Sequence, residues 1–147
     1  SMYINRTKDS DVRFTVIGSG CGMIDVDLRK LVNEELNLGE IVDFKGRIVH
    51  TKLEQYFSEA NIGVAFVPIT SYYDYQPVTK SYEYIKSGLF TIATNTFANR
   101  QIVVDKVNGY FRNFGVVCCK CIIATASNYV NVNSIRCKFI CRCDICT

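Results

Sequence analysis

The chain is short of histidine, on which much catalysis depends, and of the long apolar run that a membrane-spanning helix needs. It has one histidine, two prolines and no tryptophan in 147 residues. A lone histidine, His50, excludes a His-rich metal site, and no Ser-His-Asp arrangement is assigned to it; its expected place is the surface, near a helix start. No apolar run approaches the ~18 residues of a membrane-spanning helix, and the opening SMYINRTKDSDV is too polar for a signal peptide. The expected compartment is therefore the cytoplasm.

Two further scarcities divide the chain. Cysteine is almost missing from residues 1–112, which hold only Cys21, whereas Cys118, Cys119, Cys121, Cys137, Cys141, Cys143 and Cys146 crowd the remainder. Acid is almost missing from 113–147, where Lys120, Arg136, Lys138 and Arg142 face Asp144 alone, so the net charge of +3 resides there and the body is neutral. No nucleic-acid partner is expected. The organisation read from this is a domain over 1–112 and a Cys-rich tail over 113–147.

What is present is the composition of a globular domain, 48% hydrophobic and 21% charged. The body alternates short β-branched apolar runs with amphipathic stretches, the pattern of β-α units on a parallel sheet. Strands are predicted over 13–17 (RFTVI, closed by GSGCG), 41–45, 62–67 and 89–93, with a turn at Asn108-Gly109 before Tyr110-Phe111. Helices are predicted over 25–36, from Thr51 as cap to Ala60, over 77–87, and over 100–104. The fold class is α/β, a doubly wound Rossmann-like sheet with ligands outside the strand C-termini.

The segment YDYQPVTKSYEYIKSG, 73–88, carries the chemistry. Pro77 has the φ of a first helical turn and Gly88 stands where a C-terminal glycine cap belongs. A helix N-terminus offers N–H groups and partial positive charge to a phosphate, and Thr79 and Lys80 stand in that first turn. Glu83 follows Lys80 by three residues on the same face. A carboxylate accepts hydrogen bonds on two oxygens and suits the 2′,3′-diol of a ribose, so phosphate and diol together describe a nucleotide. A plain surface ion pair has the same spacing, and spacing does not separate the two readings.

The residues 42–111, from VDFKG through YFSEANIGVAFVP, TKSYEYIKSG and TIATNT to NGYF, resemble the C-terminal, donor-binding half of a GT-B fold retaining glycosyltransferase of the group 1, family 4 type. The likeness covers about 12–112. It implies transfer of a sugar from a nucleotide-sugar to a glycan or lipid-linked acceptor, with the nucleotide-sugar as substrate and no cofactor required. It gives Glu83 the ribose and Lys80 the diphosphate or sugar. It also implies a separate N-terminal acceptor domain and an additional first strand with a basic loop, so the expectation is that these residues alone bind donor weakly and transfer nothing. No catalytic residue is assigned. Peripheral membrane association of the whole enzyme is a further implication.

The remaining donor-site candidates are weighed beside it. Gly18 and Gly20 lie in a G-x-G-x-G run that lacks the spacing of a dinucleotide fingerprint, and the resemblance makes them the lining of the donor cleft. Arg47 follows the second strand where a guanidinium stacks on a base, although a solvated arginine fits as well. Where the family often has an acid that meets the sugar, this chain has Tyr75, with Asp74 beside it. Thr96, Phe97 and Ala98 are placed by the resemblance with backbone N–H groups toward the diphosphate. For the tail, C-x-C and C-x-x-C spacings invite zinc but match no standard four-ligand pair. A disulfide scaffold needs an oxidising compartment. The family has an acidic, leucine-containing helix after NGYF; the tail has neither character, which suggests an out-of-frame or non-native segment that packs poorly. The rival functions are a non-catalytic nucleotide-binding or partner-docking module, and a metal-binding domain acting through the tail.

Overall fold

A computed structural model describes residues 13–20, 26, 29–35, 38–112 and 138–145. They build one wholly parallel six-stranded sheet: β1 (Arg13–Gly20), β2 (Val42–Gly46), β3 (Ile62–Ala65), β4 (Phe90–Thr94), β5 (Gly109–Arg112) and β6 (Lys138–Ile145), in the order β2-β1-β6-β3-β4-β5. Helices connect the strands: α1 (Leu53–Glu59), preceded by a 3₁₀ turn over His50–Lys52, then α2 (Thr79–Lys86) and α3 (Phe97–Arg100). A π-type turn at Leu31–Glu35 lies between β1 and β2. The α/β Rossmann-like class expected from the alternation is what the chain adopts.

The winding explains the two layers. From β1 the chain steps outward to β2, then returns past β1 to β3 and continues outward to β4 and β5. Right-handed crossovers put the first connection on one face and the later ones on the other. Leu31, Val32 and Leu38 are buried with the first connection. On the second face Leu53 and Phe57 of α1 and Tyr84 of α2 join Ile17, Ala65, Leu89, Ala93 and Val103 in one core cluster. Thr91, Ile92, Ala93 and Thr94 are all buried, as expected of a strand covered on both faces.

Several boundaries differ from the sequence reading. β1 runs on through Gly18 and Gly20, because its backbone pairs with β6 from Arg13↔Lys138 to Gly20↔Ile145. α2 begins at Thr79: Val78, β-branched and half-buried, keeps φ −94° and ψ 64° outside the helix, so Pro77 precedes the first turn instead of opening it. Thr51 caps nothing and lies inside the 3₁₀ turn that starts at His50. The helix expected over 100–104 sits earlier, at Phe97–Arg100, because the Thr96 hydroxyl accepts a hydrogen bond from the Asn99 N–H at 3.3 Å and caps it. Most of the helix expected over 25–36 lies outside the described residues.

Of the tail expected to pack poorly, 113–137 and 146–147 lie outside the described residues. Lys138–Ile145 is a central strand of the sheet, hydrogen-bonded to β1 on one side and β3 on the other. A strand in that position satisfies the backbone edges of both neighbours, which otherwise stand open in the middle of the sheet.

The closure of α2 is the reading that holds in full. The Gly88 N–H donates to the Ile85 carbonyl at 3.0 Å and the Leu89 N–H to the Tyr84 carbonyl at 2.9 Å, with Gly88 at φ +78°. This is a Schellman cap, which a residue with a Cβ adopts only under strain. Gly63 has a different function: a Cβ there would run into the ring of Tyr84, which is fully buried against β3. Gly63→Ala is expected to lower the unfolding free energy by about 1–3 kcal/mol through overpacking, seen as a lower urea midpoint with unchanged slope.

Candidate functional site

Because every strand is parallel, the loops after β1, β2, β3 and β4 all open on one edge of the sheet, the edge where α/β domains bind ligands. Gly18 and Gly20 end β1, Gly46 and Arg47 end β2, the loop 66–78 follows β3, and Asn95 and Thr96 follow β4. α2 runs back from this edge, so its N-terminus with Thr79 and Lys80 lies there and Glu83 is one turn deeper.

α2 is oriented by what it buries. Ser81 and Tyr84, three residues apart, are its fully buried pair. Tyr84 meets Phe57 of α1 edge-to-face, with centroids 5.6 Å apart. The Ser81 hydroxyl donates to Asn99 Oδ1 at 2.6 Å, and Asn99 Nδ2 donates to the Thr94 carbonyl at 2.9 Å. Thr94 Oγ1 in turn accepts from the Val67 N–H at 3.0 Å. This buried network links α2, the end of β4, α3 and the start of the β3–α2 loop. Lys80 and Glu83, the neighbours of the buried pair, are thereby set half-buried at the rim.

Glu83 has a partner that sequence reasoning missed. His50 Nε2 lies 3.0 Å from Glu83 Oε1. His50 is at the surface and at a helix start, as expected, with its side chain 75% exposed against 22% for Glu83. No local pattern signals the pair, because 33 residues separate its members and packing of α1 against α2 brings them together.

In the loop after β3, half-buried Asp74 is tied to α3: its carboxylate Oδ1 accepts from the Phe97 N–H at 2.8 Å and its carbonyl from the Ala98 N–H at 3.0 Å. The Thr96 N–H donates to the Thr94 carbonyl at 2.8 Å. The three N–H groups expected to face a diphosphate are therefore engaged within the protein, because a short helix start with an acid in reach satisfies its own donors. Tyr75 stacks on Phe97 at 4.8 Å between centroids, and both stay exposed. Arg47 is exposed beside Gly46, which adopts φ +66°.

Among the described residues no group of three His, Cys, Asp or Glu side chains is placed to hold a metal ion, and no helix is long and apolar enough to cross a membrane. The cysteine side chains behind the zinc reading lie outside the described residues. The buried network yields a test. Asn99→Ala strips Ser81 and the Thr94 carbonyl of their partner and is expected to cost about 2–4 kcal/mol, against about 1 kcal/mol for Ser81→Ala, measured by chemical unfolding.

No curated protein and no solved structure matches the chain at a significant level. Residues 2–119 match the family described as glycosyl transferases group 1. The match takes in β1 to β5 and extends past both ends of the 12–112 stretch that carried the resemblance, while β6 lies beyond it. With most of its length matched, and an α/β sheet whose strand ends share one open edge, the chain belongs to the group 1 glycosyl transferases.

Proposed function

We propose that this chain binds the nucleotide-sugar for a retaining glycosyltransferase acting on a glycan or lipid-linked acceptor. The observation that carries the reading is the position of Glu83: a half-buried carboxylate one turn below a helix N-terminus, on the ligand-binding edge of a sheet from a sugar-transferring family. Its oxygens hold the ribose diol. Lys80 and the first turn at Thr79 take the diphosphate, where a full charge adds to the helix's partial one. Gly18 lets backbone approach the donor closely, and Arg47 stacks on the base.

In the transfer, the bond from the sugar's anomeric carbon to the diphosphate oxygen breaks. A bond from that carbon to the acceptor hydroxyl oxygen forms on the same face, and the hydroxyl proton goes to the departing diphosphate. What the donor site contributes is position and charge: substrates held in register, and cations and helix N–H groups where negative charge accumulates on the leaving group. The reading calls for no metal, because Lys80 and the helix N-terminus meet that charge. Asp74, Thr96, Phe97 and Ala98 are left out of the donor contacts, since their hydrogen bonds tie the rim together.

Titration calorimetry with ADP, GDP and UDP tests this. The best binder is expected to lose about tenfold or more in affinity with Glu83→Gln, the magnitude of ~1.5–3 kcal/mol for hydrogen bonds to a charged group. Lys80→Ala is expected to weaken the diphosphate far more than the matching nucleoside. Unchanged binding by Glu83→Gln sinks the ribose assignment.

A further inference from the structure

We propose that His50 is a positioning residue for the Glu83 carboxylate, fixing the plane in which it meets a ribose diol; this rests on the ribose assignment above. The contact is His50 Nε2 to Glu83 Oε1 at 3.0 Å. The terminal torsion of a glutamate is broad, so a half-buried carboxylate on a rim does not choose its own plane. A directed N–H on one oxygen restricts it. A carboxylate has about four acceptor positions, and the His50 contact occupies one of them.

Stability does not account for the pair. The histidine side chain is 75% exposed, and ion pairs so open to water contribute little to folding. Geometry is what it supplies. His50 opens the turn that leads into α1, and Glu83 adjoins Tyr84 of α2; Phe57 and Tyr84 lock those two helices together in the core. The two backbones are thus held at fixed separation by buried contacts, and the rim pair inherits that precision. The same placement sets His50 beside the ribose, with most of its ring open to the cleft edge.

The experiment compares each ribonucleoside diphosphate with its 2′-deoxy counterpart (ADP and dADP, GDP and dGDP, UDP and dUDP) by calorimetry, on the full chain. The tightest pair is carried through His50→Ala, His50→Gln and Glu83→Gln. Wild type is expected to prefer the ribo form. Glu83→Gln is expected to abolish that preference, and His50→Ala to shrink it at least threefold with little change for the deoxy form. His50→Gln, whose amide N–H reaches the same oxygen, is expected to restore it. Unfolding midpoints should match wild type for both His50 variants. If wild type shows no preference, or binds none of the nucleotides, the ribose assignment fails and this inference with it. If Glu83→Gln removes the preference but His50→Ala keeps all of it, only the role of His50 is overturned. A gain in ribo affinity in His50→Ala also overturns it, by showing the imidazole competing with the diol.

Discussion

The seating of Tyr84 on Gly63 is the contact on which the site depends. A parallel sheet covered by helices brings each helix only as close as the side chains between them allow, and a missing Cβ on β3 lets the Tyr84 ring pack directly against the strand. That ring is fully buried and fixes the rotation of α2 about its own axis. Once the rotation is fixed, helical geometry decides the rest. Ser81 and Tyr84 point inward, and Lys80 and Glu83, each one residue earlier, are turned 100° toward the rim. The face the helix turns to the rim is a consequence of its buried face.

The sheet imposes the second constraint. Winding outward from β1 in one direction and from β3 in the other leaves a gap between them, and hydrogen-bonding edges on both sides of that gap demand a strand. Lys138–Ile145 fills it, from a part of the chain whose composition differs sharply from the body. Backbone pairing is indifferent to much of that composition. Strand choice at such a position rests on extended geometry and a matching register, here continuous from Arg13↔Lys138 to Gly20↔Ile145.

This separates what was legible in the sequence from what was not. The alternation of apolar runs placed four strands of the body within one or two residues at most ends, and Gly88 announced its own cap, because both are local signals. Pro77 misled by two residues, since its fixed φ suits a first turn but the burial and β-branching of Val78 decided the start. α3 starts earlier than the 100–104 pattern implies because Thr96 caps it. The sixth strand could not be read: an overall shift in charge and cysteine content outweighed a short stretch capable of extended pairing. Spacing and resemblance point to Glu83 and Lys80, whereas the contact of His50 with Glu83 is wholly tertiary and leaves no trace in the sequence.

Asp74 illustrates the same distinction on the other side of the cleft. In sequence it stands beside Tyr75, where an acid that touches sugar is often found in this family. In the structure its carboxylate and carbonyl both hold the first N–H groups of α3. Those bonds fasten the β3–α2 loop to the β4–α3 loop, and the fastening lays Tyr75 against Phe97, leaving two exposed rings as one surface. The aromatic side of the rim is therefore held by an acid and the polar side by a histidine, each drawing on an element packed in the core. These two cross-links fix the rim: Asp74 sets where the Tyr75–Phe97 pair stands against α3, and His50 ties Glu83 to the turn that opens α1.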